Sequence, residues 1–139
     1  MKLNLDNLSD SIDTLERSLS STKEAINLNL SLQIKESIQA GVIQKFEVAY
    51  ELSWKMMKRW IQENVGSAIA DGVTRRELFR IAIENQLITD LEIWMDFHHS
   101  RNETAHTYNA LTAKAVFDSA TLFLNEVKQL LSNLSQRND

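Results

Sequence analysis

The amino-acid sequence predicts an all-α protein, an antiparallel up-and-down bundle of four to five helices. Three observations favour this fold. The chain has no proline and 3 glycines, so little in it interrupts a helix. Apolar residues recur at intervals of three and four positions, which is the period of a helix with one buried face. The 139 residues contain no internal repeat, and we therefore expect a single domain spanning 1–139.

The first two helices follow from this spacing. The first is predicted to begin near Asp6 and to end in the 20s, with a buried face of aliphatic side chains. These are Leu5, Leu8, Ile12, Leu15 and Leu19. Asparagines and serines in residues 27–31 compete for backbone hydrogen bonds, which predicts a connection there. A long second helix is predicted from about Leu32 to Asn64, and Gly66 is expected to stop it.

The second helix has a broad apolar face that carries four aromatic side chains: Phe46, Tyr50, Trp54 and Trp60. A face this wide is expected to be buried on two sides, either inside the bundle or against a second subunit. The four residues are therefore candidates for a dimer or partner interface, with the protein core as the alternative. Both roles are favoured over a platform on which nucleic-acid bases stack.

Two capping boxes of the form Thr-x-x-Glu, at residues 74–77 and 89–92, predict the starts of the next two helices. The third helix is short and has its apolar residues at 78–83. The fourth begins near Leu91 and leads into a polar segment. A last amphipathic helix is predicted from about residue 112 to 134.

Composition excludes several classes of protein. The chain has no cysteine, so disulfide scaffolds, thiolate zinc sites and cysteine nucleophiles are ruled out. It lacks a secretory signal and any apolar run long enough to span a membrane, and we expect a cytoplasmic protein without membrane contact. The net charge of -4 argues against a generally basic surface for nucleic acid. Between Lys55 and Arg80, however, cations exceed carboxylates by three, which would steer a phosphate-bearing partner or simply mark solvated helix ends.

Side chains capable of chemistry concentrate in residues 98–109, which contain all 3 histidines. Arg101 is a fixed cation that suits phosphate oxygens, and His106 is the type of side chain that exchanges protons near neutral pH. On an ideal helix these two side chains point about 140° apart, so one regular helix cannot aim both at one atom. Either the helix ends or distorts near Thr107, or long side chains reach round, or a second copy of the chain completes the site.

Other interpretations of this segment have less support. One arginine and one histidine near a helix end are, taken alone, typical of a cap or a surface ion pair. A metal site formed by His99, Glu103 and His106 is disfavoured because ligand spacings such as HExxH are absent, and we expect neither a metal nor a cofactor. A serine hydrolase is excluded, since the chain has no nucleophile elbow and no glycine-rich oxyanion turn.

The spacing of Arg101, Asn102, His106 and Tyr108 resembles the R-x4-H signature of the HEPN superfamily. The tyrosine two positions after the histidine is similar to that of HepT-like toxins in HEPN/MNT toxin–antitoxin pairs. Two longer blocks, residues 44–55 and 101–109, resemble the nucleotidyltransferase substrate binding protein branch of this superfamily. The resemblance extends from about Ile38 to the C-terminus.

The resemblance implies a homodimer with its site in a cleft between protomers, and a minimal nucleotidyltransferase (MNT) as partner. Active members cleave RNA without a metal. His106 would then transfer the proton, Arg101 would hold the phosphate, and Asn102 would orient His106 or the substrate. Tyr108 would be the hydroxyl that receives AMP from the partner. The alternative implied by the branch name is a non-catalytic binding subunit of that transferase.

Overall fold

The computed structural model describes residues 2–138, and all regular structure in that range is helical. Five α-helices are formed, with one short 3₁₀ turn before the last of them. They are α1 (Asp6–Ala25), α2 (Leu32–Asn64), α3 (Arg75–Glu84), α4 (Leu91–Asn102), the 3₁₀ turn (Glu103–His106) and α5 (Ala110–Gln136). The predicted all-α bundle is confirmed. No helix within residues 2–138 combines the length and the apolar character needed to cross a bilayer.

Helices α1, α2, α4 and α5 form an up-and-down bundle. The short segment 26–31 joins α1 to α2, and the two helices pack along their length. Helix α4 runs antiparallel to α2, since Tyr50 bonds His98 while Glu47, earlier in α2, bonds Thr104 later in the chain. Helix α5 packs against α1, α2 and α4, and α3 lies on the connection between α2 and α4.

The core consists of the apolar stripes that the sequence predicted, with one aromatic centre that it did not. Four of the five predicted residues of α1 are buried: Leu8, Ile12, Leu15 and Leu19. In α5 the buried stripe includes Phe123, which is fully enclosed. The Phe123 ring makes edge-on contacts with Phe46, Trp94 and Phe97 at centroid distances of 5.2, 5.7 and 5.1 Å. This geometry is the favourable one for aromatic pairs.

The aromatic face of α2 is mainly core. Phe46 and Tyr50 are completely enclosed by their own chain, so these two side chains have the core role that was the alternative to an interface. Trp60 is also buried, and its indole N–H donates to the backbone oxygen of Arg137 at 3.2 Å. Trp54 alone of the four is only partly buried.

Side-chain caps mark the helix starts and correct one predicted cap residue and one predicted boundary. Thr74 caps α3 as predicted, accepting a hydrogen bond from the backbone N–H of Glu77. For α4 the cap is Asp90, which accepts from Ile93, rather than Thr89. A carboxylate caps as well as a hydroxyl and adds a favourable charge at the positive end of the helix dipole. Helix α5 begins at Ala110, slightly earlier than predicted, because Asn109 caps it.

Candidate active site

The polar segment lies where the chain passes from α4 into α5. Helix α4 ends at Asn102, and the chain tightens into the 3₁₀ turn that ends at His106. The regular helix therefore stops before Thr107. An early helix end is one of the predicted ways in which Arg101 and His106 can avoid pointing about 140° apart. The ring of His106 lies edge-on to that of Tyr108, with centroids 6.2 Å apart.

Arg101 is held against α2 by two carboxylates. Its Nε donates to Oε1 of Glu51 at 2.9 Å, and its Nη1 lies 3.6 Å from Oε2 of Glu47. Glu47 also accepts a 2.6 Å hydrogen bond from the hydroxyl of Thr104, and Glu51 accepts one from the indole N–H of Trp54 at 3.1 Å. About one third of the Arg101 side chain stays exposed, at 32%. The guanidinium is therefore oriented and still accessible to a ligand.

A second polar cluster adjoins this pair. The Nη1 atom of Arg75 donates to the hydroxyl of Tyr50 at 3.1 Å, and that hydroxyl lies 2.9 Å from Nδ1 of His98. The guanidinium of Arg75 also stacks on the ring of Trp54, 3.6 Å from its centroid. Because Trp54 bonds Glu51, the two clusters are connected through one indole.

Burial sets the protonation states of the second cluster. Desolvation raises the pKa of Tyr50 to about 12, although the positive charge of Arg75 opposes the shift. Desolvation, followed by the charge of Arg75, lowers the pKa of His98. At neutral pH the tyrosine is protonated and the histidine is neutral. The Tyr50 hydroxyl can therefore accept from Arg75 and donate to Nδ1 of His98.

The predicted site residues are neighbours in the chain, but they do not form one constellation within a protomer. Within residues 2–138, no hydrogen bond or ion pair joins Arg101 to His106. Asn102 and His106 are exposed, and Tyr108 is 87% exposed. In the same range no three His, Cys, Asp or Glu residues are grouped closely enough to hold a metal ion, so a metal site at His99 gains no support.

A groove of about 250 Å³ runs beside Tyr108, between the start of α5 and the first half of α2. Its walls are formed by Glu36, Gln39, Ala40, Ile43, Thr107, Tyr108, Ala110 and Ala113. The tyrosine ring is at the edge of this groove and is largely open to solvent. The Tyr108 side chain is therefore accessible to a second molecule.

Sequence reasoning missed the residues that hold Arg101. Glu47 and Glu51 belong to the block at residues 44–55 that carries the family resemblance, but the resemblance implies no chemical role for them. Their spacing of four places both on one face of α2 and marks a carboxylate pair. The sequence does not reveal that α4 packs its arginine on this pair, since that contact is made between residues about 50 positions apart.

Comparison with known proteins identifies the family. A family model described as nucleotidyltransferase substrate binding protein like matches residues 4–136. A Haemophilus influenzae protein named probable ribonuclease HepT is 36% identical over 140 residues, which cover 99% of this chain and 95% of the relative. A solved Haemophilus influenzae structure, described as the fold of a substrate binding domain of a nucleotidyltransferase, superimposes with a TM-score of 0.87 at 33% identity, covering 96% of this chain and 100% of that one.

A structure from Thermus thermophilus matches with a TM-score of 0.63 and 25% identity, over 86% of this chain and 98% of that chain. The agreement of sequence and fold therefore extends along nearly the whole length of these relatives. The chain belongs to the HepT-like nucleotidyltransferase substrate binding protein family, which the motif around Arg101 and His106 had indicated.

Proposed function

We propose that this chain is a HEPN-type toxin, a metal-independent endoribonuclease that a partner minimal nucleotidyltransferase neutralises. One observation carries the proposal: Arg101 is fixed by two carboxylates, and His106 and Tyr108 follow it on an exposed turn. An oriented guanidinium and an accessible imidazole suit the binding of a phosphate and the movement of a proton next to it. The relative named probable ribonuclease HepT supports the same activity.

The proposed chemistry is an internal transfer within the RNA chain. His106 accepts the proton of a ribose 2′-hydroxyl while the 2′-oxygen attacks the adjacent phosphorus. The bond from phosphorus to the 5′-oxygen of the next nucleotide breaks, and that oxygen takes up a proton. The products are a 2′,3′-cyclic phosphate and a free 5′-hydroxyl. Arg101 stabilises the negative charge on the phosphate oxygens, and Asn102 orients His106 or the substrate.

A homodimer is proposed to complete the site. Within one protomer the side chain of Arg101 is directed to α2, whereas His106 lies exposed on the following turn. A cleft between two protomers would bring one arginine towards the other histidine and would exclude water from the reacting phosphate. The exposed apolar side chains next to the segment, Val48 and Leu111, favour burial of this face in such an assembly.

Tyr108 is the proposed acceptor of AMP. Its hydroxyl attacks the α-phosphorus of ATP in the transferase active site, and pyrophosphate leaves. The high exposure of the ring and the groove beside it support this role, since the modifying enzyme must reach the hydroxyl. The attached nucleotide would place a negative charge and a bulky group beside His106, which would obstruct RNA.

The test is cleavage of a labelled RNA by the purified chain in EDTA. We expect Arg101→Ala and His106→Ala each to reduce cleavage at least about a hundredfold, because general acid–base catalysis and phosphate stabilisation each contribute that much. His99→Ala is the matched control, since His99 is an exposed neighbour without a role in the proposal. Cleavage that persists when Arg101→Ala and His106→Ala are combined would assign the activity to other residues or to a contaminant.

The same assay tests neutralisation. Incubation with the partner minimal nucleotidyltransferase and ATP should abolish RNA cleavage by the wild type and add AMP to it, as read by mass spectrometry. Tyr108→Phe should remain active and unlabelled under the same conditions. Undiminished labelling of Tyr108→Phe would contradict the assignment of the acceptor.

A non-catalytic substrate-binding subunit of the transferase is the second candidate. It is favoured by the two carboxylates that already neutralise Arg101, and by the description of the solved Haemophilus influenzae relative. In that case the wild type would cut no RNA but would bind the transferase and raise its rate of nucleotide transfer.

A further inference from the structure

A second groove, which we call the α2 groove, lies along the second half of α2 where α1 begins. It has a volume of about 530 Å³ and is lined by Asn7, Leu52, Trp54, Lys55, Met56, Lys58, Arg59 and Gln62. Three of these eight residues are cations, and none is an acid. The remaining polar members are an asparagine and a glutamine, which donate and accept hydrogen bonds without adding charge. Such a lining suits an anionic chain with polar groups.

The cations of the α2 groove are not neutralised by carboxylates in the described part of the chain. Within residues 2–138, Lys55, Lys58 and Arg59 form no ion pair with a carboxylate, whereas Arg76 and Arg101 do. Lys55 and Arg59 are one turn apart on α2, about 6 Å along its axis. In a chain with a net charge of -4, three uncompensated cations on one groove form a local site for an anion.

The α2 groove adjoins the candidate active site through Trp54. Trp54 lines the groove, and its indole N–H donates to Glu51, the carboxylate that orients Arg101. The ammonium of Lys55 and the guanidinium of Arg75 both lie over the Trp54 ring, at 5.7 and 3.6 Å from its centroid. An aromatic ring and a guanidinium plane next to a row of cations are the groups on which unpaired bases stack while the backbone follows the charges.

We propose that the α2 groove binds single-stranded RNA and directs it to Arg101. This inference rests on the proposed nuclease function and names the path of its substrate. Phosphates contact Lys55, Lys58 and Arg59, and a base stacks at the Trp54–Arg75 pair. Recognition of this kind uses charge and stacking, so it depends on salt and shows little preference for base sequence. An unpaired strand fits better than a duplex, because stacking requires a free base face.

The test compares two sets of three substitutions, each added to a His106→Ala parent so that RNA stays intact during titration. The groove variant is Lys55→Gln, Lys58→Gln, Arg59→Gln. The control variant is Arg17→Gln, Lys23→Gln, Lys35→Gln, three exposed cations nearer the α1–α2 connection, with the same change in charge. Binding of fluorescein-labelled oligouridylate is measured by anisotropy over a salt series.

We expect the groove variant to bind about tenfold or more weakly, and its slope of log affinity against log salt to fall by about 2, since roughly 0.7 is lost for each phosphate contact. The control variant should behave as the His106→Ala parent. Equal binding by the two triple variants, or no binding of RNA by the parent, would overturn the inference. A groove variant that keeps its affinity for RNA but no longer binds the transferase would also overturn the inference, since the groove would then be a protein-docking surface.

Cleavage measured in parallel separates this inference from the proposed function. If the chain with His106 intact cuts RNA and the groove variant binds RNA normally, the proposed nuclease function is supported and the proposed RNA path is wrong. If no RNA is cut but the groove variant alone loses RNA binding, the proposed RNA path is supported and the proposed nuclease function is wrong.

Discussion

Arg101 is the residue on which the proposed chemistry depends, and its environment has two opposing effects. Glu47 and Glu51 neutralise the guanidinium, which weakens its attraction for a phosphate. They also fix its orientation. In a reaction where charge develops at one position, this orientation contributes more to the rate than the weakened attraction takes away. Because all three side chains remain about one third exposed, the ion pairs add little to the free energy of unfolding. We therefore infer that the carboxylates act as positioning residues rather than as structural ones.

This assignment predicts a split in the kinetics of Glu51→Ala. Loss of the acceptor for Arg101 Nε should lower kcat for RNA cleavage about tenfold, because the guanidinium is no longer held in place. KM should stay the same or fall, since a carboxylate that competes with phosphate is gone. Glu51→Gln, which keeps an acceptor oxygen, should recover most of kcat.

The control for this prediction is Glu92→Ala, which removes a more exposed partner of Arg76 at the start of α4. Its kcat and KM should equal those of the wild type. A Glu51→Ala protein that cleaves RNA at the wild-type rate would show that Arg101 needs no positioning by this carboxylate.

At the scale of the helix, periodicity predicted the elements well and the polar contacts between them poorly. The buried face of α1 and the start of α3 at Thr74 follow from local spacing and capping chemistry alone. The burial of Phe46 and Tyr50 inside their own chain does not follow from local spacing, because a broad apolar face is equally compatible with core and with interface. Contacts such as Glu51 with Arg101 depend on which helices become neighbours.

The start of α4 offers a direct test of this local chemistry. Asp90→Ala should lower the free energy of unfolding by about 1 kcal/mol, since its carboxylate accepts the backbone N–H of Ile93. Thr89→Ala should change it by less than about 0.5 kcal/mol, because Thr89 lies outside the helix and does not cap it. Urea unfolding followed by circular dichroism measures both. A larger loss in Thr89→Ala than in Asp90→Ala would contradict the assignment of Asp90 as the cap.

At the scale of the whole molecule, the bundle supports the polar segment on one side and leaves the other side open to solvent. The aromatic centre around Phe123 packs α2, α4 and α5 together beneath the arginine and its carboxylates. The turn that carries His106 and Tyr108 projects from this frame and is exposed. A site shared between two protomers requires packed support on one side and an open face on the other.

A shared site makes a prediction that a single-chain site does not. Arg101→Ala and His106→Ala proteins should each be nearly inactive. If the chain is a homodimer, half of the dimers formed after mixing, unfolding and refolding contain one chain of each kind. If each site takes its arginine from one protomer and its histidine from the other, every mixed dimer has one intact site, and the mixture should regain about a quarter of wild-type cleavage. If both groups come from one chain, the mixture stays inactive. Because Arg101 is turned to α2 and His106 lies free on the next turn, we expect the recovery of activity.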